Sequence, residues 1–155
     1  MEKSYKIPEK TNYVKEAPTN FYEGNLAVPL IDLTSYQKMQ IVRDGVTKTY
    51  LTKLKEEASL DYDALAQALS VTRSTLINKK SDQRFSDHIS ERIIAVAELY
   101  SFGYEVFENK DNFNKWMFAP NQALSGSKPF ELMDNQFGRE EIRNLIGRIE
   151  YGVYS

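Results

Sequence analysis

The residues whose types and spacing best suit chemistry fall in one stretch, Asp61 to Lys80. Arg73, Ser74, Thr75, Asn78 and Lys79 follow the capping candidate Thr72 closely, with Lys80 and Arg84 just beyond. Their guanidinium, hydroxyl, amide and ammonium groups are hydrogen-bond donors of the kind that meet base edges and phosphate oxygens. Upstream, Leu65, Leu69, Val71 and Leu76 can close a small core between two short helices, with Ala66 as the small residue where the helices cross. Ser70 stands at the turn, where glycine commonly takes the left-handed conformation. The pattern is that of a helix-turn-helix with Thr72, Arg73, Ser74, Thr75, Asn78, Lys79, Lys80 and Arg84 as candidate DNA contacts. The alternative is a plain helical pair with a solvated polar face.

Other chemistries find little support. The single histidine, His88, has no partner in sequence and reads as a surface residue rather than a ligand or base. Asp61 and Asp63 are spaced like a metal pair, yet carboxylates in a first helical turn are favoured by the helix dipole alone. Trp116, with Phe113 and Phe118, reads from its spacing as packing. Without cysteine the chain has no thiol nucleophile, thiolate metal site or disulfide. An enzyme reading therefore lacks a nucleophile, a metal cage or a phosphate loop, and no cofactor is expected.

The elements that must position these residues are helical throughout. Thr34 is placed to cap a helix through Arg43, which Gly45 stops. Tyr50, Leu51 and Leu54 form one apolar stripe, and Leu65, Ala66 and Leu69 a second after the cap Asp61. The helix after Thr72 is expected to carry Leu76 and Ile77 inward. Ser86 opens a long helix in which Ile89, Ile93, Val96 and Tyr100 share a face. Beyond the polar break Glu108 to Asn112, a short aromatic helix around Phe113 ends at Pro120-Asn121, and Pro129 opens another short helix through Met133. The last helix, expected after Gly138, bears Ile142, Leu145, Ile146 and Ile149, and Gly152 ends it. Nothing reads as strand, so the fold class is all-α.

Composition agrees with one globular unit of modest size. The 155 residues are 41% hydrophobic and 27% charged, which excludes wholesale disorder and a large multidomain enzyme. The net charge of -2 is unevenly spread: residues 35–85 carry +3 and residues 86–155 carry -4. A basic middle and an acidic end point to two tasks. No run of about 18 apolar residues is present and the N-terminus lacks a signal-like apolar centre, so no membrane partner and a cytoplasmic location are expected. The first 30 or so residues, punctuated by Pro8, Pro18 and Pro29, read as an irregular arm.

Trp116 to Asp134, with its Pro120-Asn121, Ala123-Leu124 and Pro129-Phe130-Glu131-Leu132 elements, and the closing Gly147-Arg148-Ile149-Glu150-Tyr151-Gly152 closely resemble the toxin-binding domain of Xre/MbcA/ParS-type antitoxins. The resemblance covers about residues 40 to 155 and includes a helix-turn-helix in the family's position. It departs where Ser125-Gly126-Ser127-Lys128 replaces a turn nearer Gly-Gly with threonine before the proline, since Lys128 cannot cap as threonine would. The irregular arm, residues 1–33, lies outside the resemblance, and the chain beyond it is expected to form a helix-turn-helix domain over 34–107 and a toxin-binding domain over 108–155. The resemblance implies a type II antitoxin, not an enzyme, that neutralises a RES-class, NAD-degrading toxin and represses its own operon, expected as a homodimer on operator DNA.

The same resemblance places toxin contacts at Trp116, Asn121, Arg148, Glu150, Tyr151, Gly152, Val153, Tyr154 and Ser155, with the C-terminal segment entering or covering the toxin's NAD pocket. Tyr151 and Tyr154 suit flat ring-binding space, Arg148 and Glu150 suit charged groups, and the Ser155 carboxylate suits a phosphate position. The alternative is that Tyr151, Val153 and Tyr154 fold back onto the core. A stand-alone helix-turn-helix regulator with a dimerising or ligand-sensing C-terminal domain is the competing function, and a hydrolase built on carboxylates a more distant one.

Overall fold

The computed structural model describes residues 30–152. Most of the N-terminal arm and the last three residues, Val153, Tyr154 and Ser155, lie outside the described residues. Seven α-helices follow in order: α1 (Ser35–Asp44), α2 (Lys48–Glu57), α3 (Tyr62–Leu69), α4 (Arg73–Ile77), α5 (Asp87–Phe107), α6 (Lys110–Met117) and α7 (Gln136–Glu150). Short 3-10 turns span Leu30–Asp32, Gln122–Leu124 and Pro129–Leu132. Among the described residues there is no strand, only an isolated antiparallel bridge between Thr47 and Arg84. The fold is all-α.

Side chains before six of the seven helices satisfy amide groups that have no partner within the helix. Thr34 and Gln37 form a reciprocal capping box at α1. Thr47, Asp61, Thr72, Asn109 and Asn135 each accept an amide of the helix they precede. Ser86 occupies the cap position of α5 without a side-chain capping bond; the neighbouring Ser90 works inside instead, accepting from Val46 N at 2.9 Å and donating to Phe85 O at 3.2 Å. At the foreseen stop after α1, Gly45 has φ 83°.

The 21-residue helix α5 is the centre of the molecule. It packs against α1, α3, α6, α7 and the turn at Leu30–Asp32. Ile93, Val96 and Tyr100 are buried on it as their spacing predicts, with Leu65, Leu69 and Leu76 from the helix-turn-helix and Ile142 and Ile146 from α7 in the same core. Leu30 and Leu33 join that core, so the chain preceding α1 is already anchored.

Two local expectations are corrected. Ile77 does not turn inward: it is 43% exposed while Leu76 is fully buried. The reason is length, because α4 spans five residues and its single turn gives the core one apolar position. The last helix begins at Gln136, two residues before Gly138, because Asn135 accepts from Gly138 N at 3.0 Å and caps the helix there. Gly138 is buried inside α7, where a Cβ would fall 1.9 Å from Leu132 O.

Candidate nucleic-acid interface and C-terminal face

The α3–turn–α4 unit places the candidate DNA contacts within one short exposed segment. Ser70 takes the left-handed conformation, φ 50° and ψ 47°, at the turn. A non-glycine residue there is strained, and its hydroxyl is engaged, donating to Asp134 O at 2.7 Å. Thr72 is the cap of α4, accepting from Thr75 N at 3.3 Å, and its hydroxyl also meets those of Ser74 at 3.0 Å and Thr75 at 2.7 Å. Thr72 and Ser74 are exposed and Thr75 is half-buried. The arrangement makes a linked row of hydroxyls at the start of α4.

Arg73 is exposed and stands 3.5 Å from the Asp63 carboxylate, a solvated pair of small energetic worth that a phosphate could displace. Asn78 closes α4 and is exposed, as is Lys80. Lys79 is half-buried with its ammonium 5.8 Å from the Phe85 ring centroid. Arg84 is exposed, and its Nη1 donates to Gly45 O at 2.8 Å. His88 is exposed.

Neither helix of the pair carries a basic residue in its last turn. Cations from elsewhere meet their C-terminal carbonyls, where the helix dipole favours positive charge. Arg92 of α5 donates to Leu69 O at 3.1 Å and Ser70 O at 3.2 Å, and Lys48 of α2 donates to Leu76 O. Sequence reasoning missed both. Lys48 offered a signal in its place at the start of the Tyr50-Leu51-Leu54 stripe, but periodicity does not reveal what a buried ammonium meets.

On the C-terminal side the expected contacts separate into two groups. Arg148, Glu150 and Tyr151 come together, lining with Phe102, Arg143 and Asn144 an open concavity of about 510 Å³. Tyr151 is 79% exposed, so it does not fold back onto the core, and Gly152 follows it with φ 65°. Trp116 and Asn121 do not line that concavity. Trp116 is half-buried against Phe113 and Phe107 at ring centroid separations of 5.8 and 5.4 Å. Asn121 organises its turn, accepting from Ala123 N at 2.9 Å and, through its carbonyl, from Gly126 N. The departure at Lys128 is compensated from the other direction, since the Glu131 carboxylate accepts from Lys128 N at 3.1 Å.

Between α5 and α7 lies a charged groove of about 590 Å³ containing Arg92, Arg139 and Arg143 together with Glu91, Glu98 and Glu140. Burial, and then the nearby Arg92, push the Arg139 guanidinium below its ordinary pKa. Its Nη1 donates to Met133 O at 2.8 Å, one residue before the carbonyl that Ser70 holds.

The geometry defines a helix-turn-helix protein whose longest helix also carries a second, smaller helical unit. Residues 38–98 match the antitoxin Xre-like helix-turn-helix domain, and residues 103–152 match the antitoxin Xre/MbcA/ParS C-terminal toxin-binding domain. The two matches together take in most of the chain, and the protein belongs to the Xre/MbcA/ParS-type antitoxins. Among curated relatives it is 29% identical to an antitoxin Xre from Yersinia enterocolitica over 116 residues, 74% of this chain and 78% of that protein. It is 24% identical to an antitoxin Xre from Photorhabdus laumondii over 74% of this chain and 79% of that one. A Prs ADP-ribosylating antitoxin from a Sphingobium species is 24% identical over 76% of this chain and 80% of its own length. No helix among the described residues is long and apolar enough to cross a membrane.

Proposed function

We propose that this chain is the antitoxin of a type II toxin–antitoxin pair, that it silences a RES-class toxin which consumes NAD, and that as a homodimer it represses its own operon in the cytoplasm. DNA binding falls to Thr72, Arg73, Ser74, Thr75, Asn78, Lys79, Lys80 and Arg84 within the unit of residues 34–107. Toxin binding falls to residues 108–155, with Arg148, Glu150, Tyr151 and Gly152 leading into Val153, Tyr154 and Ser155, and with Trp116 and Asn121 as separate contacts. The observation that carries the reading is the exposure of Tyr151 at the end of a well-packed helix, beside Arg148 and Glu150. A large aromatic ring left in water at a helix end suits insertion into a partner. Family membership supports the antitoxin role, and the exposed donors on α4 support the role on DNA.

Coexpression with the adjacent open reading frame tests the reading. The two products should purify together, and growth arrested by the neighbour alone should be restored. Deleting Tyr151 to Ser155 should release toxin activity while the helical content of the protein and its binding to DNA stay nearly unchanged. A truncated protein that still silences the toxin at equal concentration would place inhibition on the helical surface instead. A neighbour without toxicity would favour a stand-alone regulator.

A further inference from the structure

The segment offered to DNA is held by very little of its own structure. Helix α4 is five residues long, has one fully buried side chain, Leu76, and lacks a cation of its own near its last carbonyls. The first turn of α2 supplies what is missing. Lys48 is only 8% exposed, its ammonium donates to Leu76 O, and the Tyr62 ring centroid lies 4.7 Å away. A buried ammonium placed on a helix C-terminal carbonyl and over an aromatic face has two sources of compensation for leaving water.

The chain after α4 is fastened to the same turn. Lys48 N donates to Gln83 O at 3.0 Å and Phe85 N to Val46 O at 2.8 Å, on either side of the Thr47–Arg84 bridge. Thr49 donates twice to Ser81 O, from its amide at 3.1 Å and from its hydroxyl at 2.7 Å. Lys48 thus fixes the end of α4, and Thr49 the loop that carries Lys79 and Lys80.

We propose that Lys48, with Thr49 beside it, is the positioning pair of the nucleic-acid face: it sets the pitch of α4 and the following loop without touching DNA. The inference rests on the reading of α4 as the DNA-binding surface. Both residues lie outside the helix-turn-helix itself, and neither donates to DNA on this account.

The test compares the wild-type chain with Lys48→Met, which keeps the apolar stem, and Thr49→Val, which removes the hydroxyl. Each is titrated with a duplex spanning the DNA upstream of the protein's own coding sequence, over a range of salt concentrations. Lys48→Met should weaken binding by about tenfold or more with the salt slope unchanged, because no phosphate contact is lost. Amide exchange at Ile77 and Asn78 should quicken in the same variant. Thr49→Val should produce a smaller loss with the same unchanged slope, and it decides the matter if Lys48→Met fails to fold. A slope shallower by about one in Lys48→Met but not in Thr49→Val, which loosens the loop of Lys79 and Lys80 without removing a charge, would mean that Lys48 meets a phosphate itself and would overturn the proposal. Wild-type affinity in both variants would also overturn it. If the wild-type protein binds neither this duplex nor an unrelated one, the nucleic-acid reading fails and the positioning role falls with it, an outcome visible before any variant is made.

Discussion

Tyr100 and Tyr104 lie one turn apart on α5, and their hydroxyls meet opposite circumstances. The Tyr100 hydroxyl is buried with no hydrogen-bond partner among the described residues. That of Tyr104 lies 2.9 Å from both Glu57 O and Asn114 Oδ1. Removing an unsatisfied polar group is neutral or favourable, whereas removing a bonded one strands its partner. Tyr100→Phe should therefore leave stability unchanged or raise it by up to about 1 kcal/mol, and Tyr104→Phe should lower it by about 1 kcal/mol, as measured by urea unfolding. Burial raises the pKa of both phenols, and of Tyr50, above the ordinary value of 10.0. Because the unfolded chain loses these protons first, stability is full below about pH 10 and falls as pH rises further. The fall should be shallower in Tyr100→Phe.

The glycines of α7 give a second pair at the same scale. A Cβ at Gly138 would meet the Leu132 carbonyl, while one at Gly147 would meet nothing within 4 Å. Gly138→Ala should cost at least about 2 kcal/mol through backbone displacement. Gly147→Ala should gain about 0.5–1 kcal/mol from helix propensity. Thermal melts moving in the same direction would contradict this assignment of space.

At the scale of elements, α4 concentrates the consequences. Replacing Arg73 and Asn78 together with alanine removes two exposed donors that hold no part of the core. Each base contact is worth about 1–3 kcal/mol, so the double variant should lose an operator gel shift while still copurifying with the toxin. A shift of wild-type strength would move the DNA contacts elsewhere. The pattern of this element was legible in the sequence, since caps and apolar spacing are local properties: Thr72, Leu76 and the left-handed turn at Ser70 all stand where spacing put them. Ile77 was misplaced because periodicity presumes a helix long enough to show a face. What tethers the α3–α4 pair was not legible, because Lys48 reaches the end of α4 from 28 residues away in sequence and Arg92 reaches the end of α3 from 23. The C-terminal concavity was half legible. Arg143, Arg148, Glu150 and Tyr151 are near neighbours in the chain, but Phe102 joins them only through the packing of α7 on α5.

Across the whole molecule, Glu98 of α5 is the charge on which three helices converge. It lies 2.9 Å from Lys38 of α1 and 2.9 Å from Arg143 of α7, with all three side chains partly shielded from water. A shared, partly buried carboxylate should be worth more than an isolated surface pair and should still respond to salt. Glu98→Gln should cost about 1–2 kcal/mol and lower the melting temperature by several degrees, with the difference from wild type narrowing in high salt. A difference that persists undiminished in high salt would assign the loss to packing rather than charge.

Helix α5 runs from Asp87 to Phe107 without a proline, and its Gly103 is filled over by Phe113. Arg92 near one end supports the turn before α4, and Phe102 near the other lines the concavity beside Tyr151. Ten residues of helix separate them, a rise of about 15 Å. The two faces are thus mounted on one beam with no hinge between them, so their separation and angle behave as a built-in gauge. A toxin seated at one end would hold a constant bearing toward a duplex at the other, and whether both can be carried at once becomes a question of clearance rather than of shape change.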